Sequence, residues 1–131
     1  MPALQMTPAE FTAELGVNVI GALHRVQLIV PGMFAAGYGS IIFTGGGLAL
    51  HSEYGVGVST LSAGNSALRA LGYALHGELS KAGIHVSMVT IAGTVATNTP
   101  FDPDRIAEYY WNLHMQPRSE WATEVVFDGI D

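Results

Sequence analysis

Cysteine is missing altogether from this 131-residue chain, and Lys and Arg together number only five. Without thiols there is no disulfide, no thiolate nucleophile and no Cys-based zinc site, a composition that suits a reducing compartment. The five cations (Arg25, Arg69, Lys81, Arg105 and Arg118) are scattered, and the formal net charge is −6. Phosphate backbones call for clustered Lys and Arg, so nucleic acid is not an expected partner. The N-terminus has no basic segment followed by an apolar one, and no uninterrupted apolar run approaches the roughly 18 residues that mark a membrane span. The expectation is a soluble cytoplasmic protein with no membrane partner. His24, His51, His76, His85 and His114 show no metal-ligand spacing and read as surface or partly buried residues with no metal site.

Apolar residues, by contrast, are plentiful. They make up 49% of the chain while charged residues make up 12%, against a usual charged share of about 25%. A domain of this size buries a real core but cannot easily hide so much apolar surface, so some of it is expected to meet a partner.

Periodicity divides the chain into helices and strands. Thr7-Pro8-Ala9-Glu10 predicts a helix start, with Thr accepting from first-turn amides, Pro at the first helical position and Glu closing a capping box. Phe11, Leu15, Val19, Ala22, Val26, Ile29 and Val30 continue one apolar face. Pro31-Gly32 is a kink site near the end, and Gly37-Tyr38-Gly39 closes the helix. The run Ser40-Ile41-Ile42-Phe43-Thr44 predicts a buried strand stopped by Gly45-Gly46-Gly47. From about Ser62, the residues Ala67, Leu68, Leu71, Leu75 and Leu79 form a second helical stripe that ends at Lys81-Ala82-Gly83. Residues 84–91 are apolar enough for a central parallel strand. Asp102-Pro103 caps a helix carrying Ile106, Tyr109, Tyr110 and Leu113, which stops before Pro117; Tyr109, Tyr110 and Trp111 read as core or partner contacts. Residues 121–127 are a candidate last strand.

This order implies right-handed parallel crossovers and one α/β domain over residues 1–131, with helices on the faces of an open sheet. Two or three strands make only part of a doubly wound sheet. The chain opens on a helix, and the phosphate-binding glycine turn expected after a first strand is absent from the sequence.

Four segments, in order, resemble the short-chain dehydrogenase/reductase family. Asn18-Val19-Ile20-Gly21 resembles its Asn-Val-x-Gly helix motif. Residues 39–46 resemble the strand that normally ends in two serines, the second of them catalytic, with Gly46 at that place. Leu61-Ser62-Ala63-Gly64-Asn65-Ser66-Ala67-Leu68 resembles Tyr-Ser-Ala-Ser-Lys-Ala-Ala-Leu, which puts Leu61 at the Tyr position and Asn65 at the Lys position. Ile91-Ala92-Gly93-Thr94-Val95-Ala96-Thr97 resembles the Pro-Gly-x-Val-x-Thr nicotinamide loop, with Ala92 in place of Pro. The resemblance covers nearly the whole chain and corresponds to the C-terminal half of a family member, a partial Rossmann-like parallel sheet with flanking helices.

What the resemblance implies is therefore divided. The family reduces carbonyls with NAD or NADP. It supplies the proton from a Tyr whose pKa is lowered by a Lys one helical turn away. Leu61 has no proton to give, Asn65 keeps the spacing without a charge, and Gly46 lacks the orienting hydroxyl. Gly93, Thr94, Val95, Thr97 and Asn65 remain as candidate contacts to NAD or NADP, and the missing glycine turn leaves no cofactor at all as the other outcome. Asn18 is either a proton-relay residue, as the family's Asn is, or a mid-helix polar group bonding local backbone. Tyr54 is the best substitute acid, since the glycine-containing loop before the helix lets it fold back; its plainer reading is an ordinary loop tyrosine. Ser59, Thr60 and Ser62 lie near the helix N-terminus, and Ser62 reads as a cap rather than a nucleophile. Gly45-Gly46-Gly47 either admits a nicotinamide close to the backbone or forms a plain turn. The two expectations are a truncated, weakly active or inactive NAD(P)-dependent oxidoreductase and a non-catalytic interaction module. For the latter, the family's subunit interface implies a homo-oligomer through helices at about 7–36 and 62–82.

Overall fold

The structure, a computed structural model, describes residues 1–130. Its elements run α1 (Pro8–Leu15), a π-turn (Gly16–Ile20), α2 (Gly21–Ala36), β1 (Gly39–Gly46), α3 (Ser59–Leu79), β2 (Ile84–Ile91), α4 (Pro103–Met115) and β3 (Glu124–Phe127). The three strands form one parallel sheet in the order β1-β2-β3. This is the expected partial Rossmann-like α/β architecture.

The helix start at Thr7 is the capping box read from the sequence: the Thr7 hydroxyl accepts from the Glu10 N–H, and the Glu10 carboxylate accepts from the Thr7 N–H at 2.8 Å. After the eight residues of α1 the helix departs from regularity. The Gly21 N–H reaches back to the Gly16 carbonyl, five residues away, and a Cβ at position 21 would sit 3.2 Å from that oxygen. Glycine is what lets the backbone close this wider turn. Pro31 stands inside α2 rather than ending it, and Gly37 (φ 80°) closes the helix.

β1 runs further than its apolar residues indicate. Gly45 and Gly46 pair with Thr90 and Ile91, so the first two of the three glycines extend the strand and only Gly47 leaves it. The following helix starts at Ser59, three residues before the expected Ser62. It has no side-chain cap at Val58, and Ser62 is a buried residue of the fourth helical position, not a cap.

β2 is the centre of the molecule. Its residues 84–90 are all buried, and the two sheet faces carry separate clusters to which this strand contributes on both sides. On one face Ile41, Phe43, Val86 and Met88 pack against Val26 of α2 and Leu75 and Leu79 of α3. Gly72 allows the approach, since its missing Cβ would lie 3.4 Å from the Phe43 ring. On the other face Val89 and Phe127 pack against Ile106 and Leu113 of α4, with Tyr109 and Tyr110 at the margin. Trp111 points away and is exposed. His85 is not a surface residue: it is 2% exposed and stacks on Trp121 at 4.7 Å. Its Nε2 lies 3.1 Å from the Ala122 carbonyl, while Nδ1 has no partner. Burial holds its pKa below the usual imidazole value.

The α3 stripe faces the sheet, because Leu75 and Leu79 are buried and Leu68 and Leu71 pack against the same cluster. The 29-residue span Pro8–Ala36 is the one helix among the described residues that is long and apolar enough, by length and composition, to cross a membrane; only 11% of its most apolar window is buried.

A polar clamp joins α3 to the sheet. Glu124 on β3 accepts from Arg69 Nε (2.9 Å), Arg69 Nη2 (2.8 Å), Tyr73 Oη (3.0 Å) and Thr90 Oγ1 (2.6 Å). Its side chain is 8% exposed, and the Arg69 guanidinium above all lowers its pKa to about 2. A carboxyl more acidic in the folded state than in the unfolded one stabilises the fold above the unfolded pKa near 4.5, and that stabilisation is lost as pH falls toward 2. Urea unfolding of Glu124→Gln is expected to show a loss of about 1–3 kcal/mol at pH 7. The gap from the parent should close between pH 4.5 and 2, and a gap independent of pH would contradict the clamp.

Candidate functional site

A cleft of about 500 Å³ opens at the C-terminal ends of β1 and β2, where parallel α/β sheets generally receive ligands. Its floor is backbone: Gly46 ends β1 beside Ile91 at the end of β2, and in the segments that follow a Cβ at Gly47 would lie 3.4 Å from the Ala92 Cα. One wall is the first two turns of α3, carrying Leu61 and Asn65. A second is the segment with Leu48, His51 and Tyr54, and a third is Gly93-Thr94.

Gly46 and Asn65, aligned in the sequence with two reactive positions, face each other across the floor. A Cβ built at Gly46 would lie 2.7 Å from Asn65 Nδ2, so the carboxamide occupies the space a side chain at position 46 would need. Leu61, one turn before Asn65, is half exposed and gives that wall an apolar surface. No Lys or Arg lines the cleft among the described residues. Beside it, His51 Nδ1 lies 3.5 Å from Glu53 Oε1 with both side chains more than 60% exposed, a contact that contributes little to stability. The His51 and Tyr54 rings lie 6.0 Å apart.

The loop after β2 is held by its own bonds, although Ala92 stands where a proline would stiffen it. The Ala92 N–H donates to the Phe127 carbonyl (2.9 Å), the Ala96 N–H to the Phe101 carbonyl (3.1 Å) and the Thr99 hydroxyl to the Ala96 carbonyl (2.7 Å). Asp102 accepts from the N–H groups of Asn98 and Asp104, bonds that hold its carboxyl below the usual range. The Phe101 ring lies over Gly93 so closely that a Cβ there would fall 2.2 Å from its Cζ.

Of the residues expected from the sequence, the cleft gathers Gly46, Tyr54, Leu61, Asn65, Gly93 and Thr94. Val95 and Thr97 are exposed on the same loop but do not line it. Asn18 lies in the π-turn against α3, where a Cβ at Gly64 would sit 3.8 Å from its own Cβ, and it does not reach the cleft wall. His51, expected to be a surface or partly buried residue, is exposed, and it also lines the cleft beside Tyr54. The reach that makes Tyr54 a candidate applies equally to His51, three residues before it. No group of three or more His, Asp or Glu able to hold a metal occurs among the described residues.

A parallel sheet with helices on both faces and a cleft at its strand ends defines a partial Rossmann-like α/β fold. The chain belongs to the short-chain dehydrogenase family, whose model, described as short chain dehydrogenase, matches residues 1–104. Similar solved structures include a short-chain dehydrogenase from Rhodopseudomonas palustris, 27% identical with TM-score 0.76, covering 98% of this chain and 56% of that one. A metagenomic short-chain oxidoreductase in complex with NADP is 24% identical with TM-score 0.75, over 95% of this chain and 55% of that one. A Thermus thermophilus protein is 24% identical with TM-score 0.84, over 98% and 62%. The chain thus spans little more than half the length of these structures. No curated protein matches it.

The closeness of Phe101 to Gly93 makes a specific demand. Gly93→Ala must displace the ring, and overpacking of this kind typically costs about 1–3 kcal/mol. Urea unfolding is expected to show that loss, and most of it should disappear when the same change is made in a Phe101→Ala background. Equal losses in both backgrounds would place the strain elsewhere.

Proposed function

We propose that this chain is a degenerate short-chain-dehydrogenase module whose cleft receives the nicotinamide end of NAD or NADP, with slow or absent turnover. The observation that carries this reading is the convergence of Asn65, Gly46-Gly47 and Gly93-Thr94 on one cleft. The fit to the cofactor is partial. The carboxamide of Asn65 and the hydroxyl of Thr94 can bond a ribose or a nicotinamide amide, and Val95 and Thr97 extend the same loop outward. Among the described residues no Lys or Arg lines the cleft to hold a pyrophosphate, so affinity is expected to be weak. When bound, such a cofactor supplies or accepts a hydride.

The chain's own groups orient more than they react. Asn65 keeps the place of the family's Lys without its charge, and Leu61 leaves a hole in the proton path. Loss of a positioned acid ordinarily slows such a reaction about 10²–10⁴-fold. Tyr54 is the hydroxyl in the cleft from which a proton can still come, and Asn18 supports α3 from behind rather than the reacting atoms. Fluorescence titration with NADH and NADPH is expected to give saturable binding in the high-micromolar to millimolar range, weakened by Asn65→Leu. A linear response up to millimolar cofactor would exclude the reading.

A second reading, association with another copy of the chain, is favoured by the surface. The solvent-accessible area is 7786 Å², where a folded monomer of this mass would expose about 6,600 Å². The excess is of the order of one partner's share of a stable interface. It includes Val17, Leu28, Ile29 and Phe34 on the α1–α2 side, and an apolar groove of about 280 Å³ between α2 and α3 ends at Phe34. In sedimentation velocity the parent is expected to run as an oligomer, and Leu28→Asp with Phe34→Asp as a monomer with unchanged helix content. A monomeric parent, or an oligomer indifferent to both changes, would remove this interface.

A further inference from the structure

We propose that this chain carries a second reactive site at the opposite end of the sheet, where Ser40, with His114 as its base, is acylated by small neutral esters. The site shares no lining residue with the cleft at Gly46 and Asn65 and uses no cofactor, so its test stands or falls apart from the function proposed above.

A cavity of about 320 Å³ opens at the N-terminal ends of β1 and β2, bounded by Tyr38, Ser40, His85, His114, Gln116 and Trp121. Ser40 and His85 are paired positions on neighbouring strands, so their side chains stand on the same face of the sheet, the one α4 covers. Ser40 Oγ lies 2.9 Å from Nδ1 of His114, the separation of a nucleophile from its base. His76 and His85 are different: each meets a backbone carbonyl, which only accepts, so these rings are tied into the fold as donors. His114 meets a hydroxyl, and with its proton on Nε2 the Nδ1 lone pair accepts from Ser40. Its position also supplies what a carboxylate supplies in a Ser-His-Asp triad. His114 stands in the last turn of α4, where the aligned carbonyls favour the imidazolium formed on proton transfer.

Gln116 completes the arrangement. Its backbone carbonyl accepts from the Trp121 indole N–H (3.1 Å) and its side-chain Oε1 from the Ala122 N–H (3.2 Å). Both ends of the residue are held, and the Nε2 hydrogens of the same carboxamide remain to meet a developing oxyanion. Trp121 is fixed in turn by stacking on buried His85. The substrate class follows from the walls. No Lys, Arg, Asp or Glu lines the cavity among the described residues, which suits a neutral molecule, and Tyr38 and Trp121 offer aromatic surface to an aryl leaving group.

The reaction balances with water as co-reactant. Ser40 Oγ bonds the acyl carbon as its proton passes to His114 Nδ1, and the carbonyl π pair moves to the oxygen that the Gln116 amide receives. The pair returns, the bond to the alcohol oxygen breaks, and that oxygen leaves with the proton from His114. Water, deprotonated by His114, then attacks the acyl-serine; Ser40 recovers the proton and the carboxylic acid departs.

The probe is 4-nitrophenyl acetate, used with the full chain at neutral pH and no cofactor. Peptide mass spectra of acid-quenched samples are expected to place an acetyl group on Ser40, and nitrophenolate release should show a burst before slower turnover. Release is expected to fall about 10²-fold in His114→Gln and by a similar factor in Gln116→Met, with circular dichroism confirming that each variant is folded. The acetylation map of the parent chain decides the matter even where a variant fails to fold. Acetyl groups on Lys81, Tyr38 or the N-terminus without one on Ser40 would overturn the proposal. So would release that persists in Ser40→Ala, which is plain imidazole catalysis by an exposed histidine, or release that is unchanged in His114→Gln.

Discussion

Everything in this fold hangs on β2 being buried on both faces. A strand with residues 84–90 all out of solvent must be covered by two layers, and the chain supplies them from separate places: α2 and α3 on one side, α4 on the other. Because β1 and β3 both pair with it in parallel, their C-terminal ends and the loops that leave them fall at one end of the sheet. The cleft is the geometric result. It would exist at that end whatever side chains the loops carried, which is why fold and chemistry can come apart in this protein.

They do come apart on α3. The helix that closes the cleft is anchored behind by Arg69 and Tyr73 on Glu124, and beneath by Gly72 against Phe43. Its first two turns are thus firmly placed, yet they present Leu61 and Asn65, which have neither an acidic proton nor a charge. Asn65 is in addition packed against the bare backbone of Gly46, so the two replaced positions form one contact. A hydroxyl at position 46 would have to displace the carboxamide. The rigid wall of the cleft therefore presents an apolar and an amide side chain where a proton donor and a cation would otherwise stand.

The sequence disclosed those parts of the fold that leave a side-chain signal. The capping box at Thr7 and Glu10, the β2 run and the Asp102-Pro103 start all depend on side chains that act locally, and each was where it was expected. The misses are backbone features. Gly45 and Gly46 continue β1 through main-chain pairing that no apolar pattern records, and the π-turn at Gly16–Ile20 closes through a Gly21 N–H that has no periodic mark. Helix α3 starts without a side-chain cap at Val58, so Ser62 drew the boundary three residues late. Of the residues aligned with family motifs, Gly46, Leu61, Asn65, Gly93 and Thr94 line the cleft, while Asn18, Val95 and Thr97 do not. His51 was not legible as a cleft residue, because a lone histidine in a loop has no spacing to read until the loop is folded over the strand ends.

The apolar excess noted in the composition now has a location. Burial of β2 consumes the apolar faces of α3 and α4, and the core accepts Val26 from α2 with Ala22, Val30 and Met33 at its edge. The rest of the long N-terminal helix, including Val17, Ile20, Leu28 and Phe34, stays in solvent. Exposed apolar residues on one helix are ordinary singly, but several on an element buried only in part form a patch whose covering releases water over a large area. Hydrophobic gain scales with that area, at about 25 cal/mol per Å² before the cost of association. A cofactor end held by one carboxamide and one hydroxyl has no comparable driving force. Of the two proposed roles, association is therefore the one the surface favours energetically, and ligand binding in the cleft is the weaker equilibrium.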